Sequence, residues 1–119
     1  MMQIRLILEQ QILNASLDKD SAAACSFYAL LPLELTLTDY AAIEKVSDLP
    51  QALDIKGEPR GYQAKAGDIT YYAPWGNLAI FHKDFSYANG LVRIGQIKED
   101  IQPLRASGPL KVRIEAVTA

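Results

Sequence analysis

The chain has 119 residues, 50% of them apolar and 22% charged, with a net charge of −2 and a pI of about 5.3. That length suits one domain, residues 1–119, with room for a core. The charge leaves no basic surplus for a nucleic-acid backbone, and no apolar run approaches the ~20 residues that cross a membrane as a helix.

Arg5 and Glu9 interrupt the opening apolar stretch, unlike a secretory leader, and a single cysteine, Cys25, excludes an internal disulfide. Both features fit the reducing cytoplasm. Ile4, Leu6 and Leu8 alternate with polar neighbours, as a strand with one buried face does. Ile12–Leu17 reads as its hairpin partner across a short link. Asp18 to Ser21 then supply N-caps and acidic groups for a helix predicted over about 20–31, with Pro32 ending it. Ala23, Phe27, Leu30 and Leu31 share one helix face. Its body carries no charge, so it is expected to be covered, with Cys25 a buried and inert thiol.

Leu33, Leu35 and Leu37 mark a third strand. Residues 41–46 read as a further strand, at a sheet edge, and residues 50–53 as one helical turn in a loop running to Arg60. The stretch 61–82, GYQAKAGDITYYAPWGNLAIFH, holds three of the six tyrosines, the only tryptophan and the only histidine. Turn residues at Gly67-Asp68 and Pro74 to Asn77 bracket a strand at 69–73, and an apolar strand follows at 78–81. Trp75 falls at the hairpin tip. Such a residue is either packed beneath its loop or held out for a ligand; packing is expected, because large aromatics dominate cores. Asn89-Gly90 is a turn. Leu91–Ile97 is a strand, 99–105 a short helix and Leu110–Ala116 the last strand.

About eight short strands with closely spaced turns predict a mainly β, closed eight-stranded barrel. Leu6, Leu35, Ile69, Ile80, Ile94, Val112 and Ile114 are its candidate interior residues.

Three patches resemble cyclophilins: DKDSAAACSFYALL, GYQAKAGDI and LVRIGQIKEDIQPL. The chain as a whole is more similar to the small bacterial cyclophilin-like proteins, a group without an assigned activity, through LLPLELTLTDY, KAGDITYYAPWGNLAIFHKD and GLVRIGQI. The resemblance implies an eight-stranded barrel with a helix at each end. Cyclophilin prolyl isomerases lower a barrier of about 18–20 kcal/mol set by the amide double-bond character, using an arginine beside the prolyl nitrogen and an apolar proline pocket. The position of that arginine falls at Gly57, with Arg60 the nearest substitute. Gln63 and Lys65 stand where the family has Met and Gln. The scaffold half of the motif, Gly67 to Ile69, is kept.

The expected function is therefore a binding module for a small molecule or peptide. Its groove would be lined by Tyr62, Tyr72, Trp75 and Phe81, with Phe85 and Tyr87 beside them and Arg60, Gln63 and Lys65 on the rim. Two basic rim residues suggest an anionic ligand group. His82 is a further candidate at the groove; its plainer reading is a hydrogen-bonded structural histidine, its sharper one a general base with Asp84 or Asp68. No metal-ligand spacing is present, and neither metal nor cofactor is expected. A divergent prolyl isomerase using Arg60 is the alternative from the enzyme class. A homo-oligomer whose interface is the aromatic patch is the alternative from the structural class.

Overall fold

The structure, a computed structural model, describes residues 2–117. Strict alternation along its strands sends every second side chain into a shared interior. In chain order the elements are β1 (Met2–Ile7), β2 (Ile12–Leu17), α1 (Ala22–Tyr28), β3 (Leu33–Tyr40), β4 (Glu44–Asp48), β5 (Gly61–Gln63), β6 (Asp68–Tyr72), β7 (Asn77–Phe81), β8 (Tyr87–Asn89), β9 (Leu91–Ile97), a 3₁₀ turn (Gln102–Arg105) and β10 (Leu110–Ala116). Eight strands close an antiparallel barrel in the order β1-β10-β3-β4-β7-β6-β9-β2, and β5 and β8 form a separate two-stranded ribbon.

Ile4 and Leu6 of β1, Leu13 and Leu17 of β2, Leu78 and Ile80 of β7, and Val112 and Ile114 of β10 pack together inside. Of the interior residues expected from the sequence, all are buried except Leu35, which is only partly covered, while Leu37 takes the deeper place on β3. At Gly95 the strands approach so closely that a Cβ would lie 2.2 Å from the Ser16 carbonyl oxygen. The β6–β9 ladder shifts register beside it, between Ile69 and Thr70, which marks a bulge.

One barrel end is covered by α1, which buries Ala23, Ala24 and Phe27, and by the loop at 49–60. That loop is tied down at three points. The Leu53 amide donates to the Tyr71 hydroxyl at 3.2 Å, the Asp54 amide donates to Ser26 Oγ at 3.2 Å, and Glu58 Oε2 accepts from Ser21 Oγ at 2.6 Å. Glu58 also accepts from the Ala23 amide at 3.1 Å, placing a carboxylate on the positive helix end. At the other end Lys45 is fully buried inside the barrel, with Nζ 2.7 Å from the Ala106 and Gly108 carbonyls and from Asp39 Oδ1.

Five expectations are corrected. The helix covers 22–28 rather than 20–31, since Ala29 closes it with a backbone hydrogen bond and the chain turns before Pro32. Cys25 is exposed, because the helix turns Ala23, Ala24 and Phe27 inward and places Cys25 on the far side. The second helix is a lone 3₁₀ turn, four residues with Pro103 near its start. Residues 50–53 form a bend rather than a helical turn, anchored by the Leu53 contact with Tyr71. Residues 41–43 are a tight turn, with Ala41 and Ala42 both at φ 54°, and β4 behind them pairs on both sides, so it is no edge strand.

Candidate functional site

Alternation has a second consequence. Residues of β4, β6, β7 and β9 that do not point inward form an outer face, and Ala79, Phe81 and Leu91 are buried there in a smaller cluster with Ala64. The ribbon of β5 and β8 contributes Tyr62 and Ala88 to this cluster. Between barrel wall and ribbon lies a pocket of about 210 Å³. Val46, Phe81, Leu91 and Ala88 give it apolar surfaces; Tyr40, Tyr72, Trp75 and Phe85 give it aromatic ones; Glu44 and Asn77 are its polar members.

The register explains how distant turns supply one pocket. Glu44 pairs with Phe81 and with Tyr40, while Asp48 pairs with Asn77, so Tyr40 at the end of β3 and the turn carrying Trp75 lie at opposite ends of the β4–β7 ladder. Tyr40 and Trp75 nevertheless meet edge to face, with ring centroids 5.7 Å apart, and Trp75 meets Tyr72 in the same way at 5.3 Å. Phe81 stacks on Phe85 at 5.9 Å. Trp75 is 59% exposed, so it is held out at the rim instead of being packed beneath its loop. Both aromatic partners meet it at steep interplanar angles, and more than half of its surface stays open to solvent.

Of the polar members, Asn77 is buried and Glu44 half-buried. Burial pushes the Glu44 carboxyl up to about 7, with no charged partner contributing. Asn77 is 6% exposed and its Oδ1 has no hydrogen-bond partner. Neither residue stands out in the sequence. Asn77 reads as a turn residue after Gly76. Glu44 lies beside Lys45 in a stretch resembling an edge strand, where charges are ordinary. A closed barrel has no such edge, and closure would have required one of that charged pair to point inward.

The residues singled out from the sequence divide. Tyr72, Trp75, Phe81 and Phe85 line the pocket. Tyr62 packs behind it, and its hydroxyl donates to Asp68 Oδ2 at 2.7 Å. Burial, then that hydrogen bond and the charge of Asp68, push the Tyr62 phenol up to about 12. Asp68 is itself buried, accepts from the Lys65 amide at 2.8 Å and pairs with Arg93 at 3.3 Å, so this network braces the ribbon against the barrel. Arg60, Gln63 and Lys65 are exposed and do not line the pocket, and Tyr87 instead covers Gly61. The charge that does line the pocket is acidic, which goes against the anionic ligand suggested by Arg60 and Lys65.

His82 follows the inward parity of Leu78 and Ile80. It is buried, and both ring nitrogens lack partners. Burial, reinforced by the Lys45, Arg105 and Lys83 charges, lowers its pKa and keeps the ring neutral. Arg105 donates to the His82 carbonyl at 3.1 and 3.0 Å, locking the end of β7 to the 3₁₀ turn. A wider, more open groove of about 900 Å³ crosses β1, β3 and β10. It has no aromatic lining, and Arg113 pairs there with Glu34 at 3.4 Å.

A closed antiparallel barrel with a flanking ribbon and an aromatic pocket between them defines the class of protein. The chain belongs to the Cyclophilin-like family, whose model matches residues 6–115. Among solved structures it is similar to the hypothetical protein AF2241 from Archaeoglobus fulgidus, with a TM-score of 0.69 and 18% identity over 98% of this chain and 95% of that one. It is also similar to McbB, solved in complex with tryptophan, with a TM-score of 0.70 and 13% identity. That match covers 98% of this chain and 47% of McbB, so the chain spans about half of that neighbour. No curated protein matches it in sequence. No helix among the described residues is long and apolar enough to cross a membrane.

Proposed function

We propose that the chain is a small-molecule-binding module whose ligand occupies the aromatic pocket on the outer face of the barrel. The observation that carries this is the Asn77 Oδ1, a buried acceptor without a donor in a pocket lined mostly by aromatic and aliphatic side chains. Leaving such a group unsatisfied costs about 1–3 kcal/mol, which a ligand donor would recover. Partial burial of Glu44 in the same pocket adds a second polar group with a reduced share of water. A concave apolar site with a few convergent polar groups is the usual form of a small-molecule site. McbB supports the reading in a general way: a protein sharing this fold over part of its length forms a complex with tryptophan.

The isomerase alternative needs an arginine at the proline pocket, and no arginine is among the described residues lining this one. The self-association alternative draws on the exposed faces of Trp75 and Tyr40, at 59% and 47%. Light scattering separates it, since a binding module needs no dimer.

Trp75 is the only tryptophan and lies on the pocket rim, so its emission reports occupancy. Titrating the protein with a panel of small aromatic fragments is expected to give a saturable change in that emission. The Ala88→Leu variant, which fills the pocket from the half-buried ribbon, is expected to abolish it while keeping the native circular dichroism. Saturable binding that survives Ala88→Leu, or the absence of any binder in the panel, would overturn the proposal.

A further inference from the structure

We infer that the ligand is an elongated arylalkylamine, with an ammonium group at Glu44 and a second hydrogen-bond donor at Asn77; this rests on the pocket reading above. Three observations on different elements lead to it. The first is charge. Among the described residues that line the pocket, from β3, β4, β6, β7, β8, β9 and the two adjoining loops, Glu44 is the only charged one. The only other titratable groups there are the Tyr40 and Tyr72 phenols. No lysine, arginine or histidine of the described lining competes for the carboxylate. An arriving ammonium would be its counter-ion in a desolvated setting, where charge-assisted hydrogen bonds are strongest.

The second observation is the surround. Tyr40, Tyr72, Trp75, Phe81 and Phe85 present rings from three strands and two loops, and two of the ring pairs are edge to face. Aromatic faces attract a cation and stack on an aromatic body. They give an anion no such contact.

The third is spacing. Glu44 lies opposite Phe81, four residues along β7 from Asn77. At the usual rise per strand residue this separates the two polar positions by about 13 Å of backbone. Both side chains line the same pocket, and Ala79, small and fully buried, lies between the two positions on β7. A ligand satisfying both ends therefore carries its amine and its second donor on opposite sides of an apolar ring. Asn77 Oδ1 can only accept, so the group that meets it is an O–H or N–H.

Binding would also move a proton. The carboxyl pushed up to about 7 is substantially protonated at neutral pH. When the ammonium binds, Glu44 gives its proton to the buffer, and the resulting carboxylate pairs with the ligand cation.

The test uses four probes that differ by one group at a time: tyramine, phenethylamine, tyrosol and hydroxyphenylpropionate. Affinities are read from Trp75 emission and from calorimetry at pH near 7 in two buffers of different ionisation enthalpy. Tyramine is expected to bind about tenfold more tightly than tyrosol or phenethylamine, about the worth of the one hydrogen bond each of them lacks, and its binding to release protons. Glu44→Gln is expected to remove both the preference for tyramine over tyrosol and the proton release. Asn77→Ala is expected to remove the preference for tyramine over phenethylamine alone. Equal binding of tyramine and tyrosol, or tighter binding of hydroxyphenylpropionate, would overturn the inference. If none of the four binds although other fragments from the panel do so in an Ala88-dependent way, the inference fails and the pocket reading stands. If no fragment binds, both fail.

Discussion

Glu44 and Lys45 are neighbours in sequence with opposite fates, because a strand sends them to opposite faces of the barrel wall. Lys45 is tolerated in the interior because two carbonyls and Asp39 take its three donors. Replacing it with methionine keeps the stem and strands those partners. The expected loss is about 2–3 kcal/mol in urea unfolding, toward the lower end for a broken buried pair because Asp39 is partly solvated. Glu44 has no such partner, and its raised pKa sets the sign of a pH effect. The unfolded carboxyl titrates near 4.5 and the folded one near 7. The folded state therefore holds the extra proton between these values, and stability falls as pH rises through that window. Glu44→Gln should be more stable than the parent above pH 7, with the gap closing as pH falls toward 4.5. His82 and Asp39 act in the opposite direction, since their lowered pKa values cost stability as pH falls. They are common to both proteins, so the difference in melting temperature isolates Glu44. A gap that does not change with pH would contradict the desolvated placement of this carboxyl.

At the scale of elements, the turn between β3 and β4 is the strained part of the site. Ala41 and Ala42 both lie at φ 54°, where a Cβ is disfavoured by roughly 1–2 kcal/mol. Glycine would relieve this while losing more chain entropy on folding. Ala41→Gly and Ala42→Gly are each expected to gain about 0.5 kcal/mol in denaturant titrations, the small remainder of those two opposing effects. At the opposite end of the barrel, Glu58 joins the loop at 49–60 to the start of α1. Glu58→Ala removes two hydrogen bonds to one carboxylate. It is expected to cost about 1–2 kcal/mol and to speed amide exchange in 49–60 first. The alternating strands were legible in the sequence because burial on one face imposes period two on the residues themselves. The turn at 41–43 was not, because no glycine or asparagine marks it. The exposure of Cys25 was missed for a related reason. An uncharged helix looks buried all round, yet a helix of seven residues covers only one stripe.

At the scale of the molecule, closure of the barrel decides what the site can be. The eight barrel strands and their closure follow from alternation and turn spacing, and family membership agrees with them; their order around the barrel is seen only in the structure. The aromatic part of the pocket was legible through Tyr72, Trp75 and Phe81, which cluster within ten residues of chain. Tyr40 and Glu44 were not, because they come from a hairpin distant in sequence that only the β4–β7 register brings alongside. Nor could the sequence show that Arg60, Gln63 and Lys65 face solvent, since the ribbon that turns them outward is only three residues long on each side. The most direct test of the account is a two-dimensional amide NMR titration of the labelled protein with tyramine. Shifts are expected to concentrate at Tyr40, Glu44, Tyr72, Trp75, Asn77 and Phe85, to saturate together and to be absent in Ala88→Leu. Shifts centred on Arg60, Gln63 and Lys65, or on the open groove across β1, β3 and β10, would contradict it.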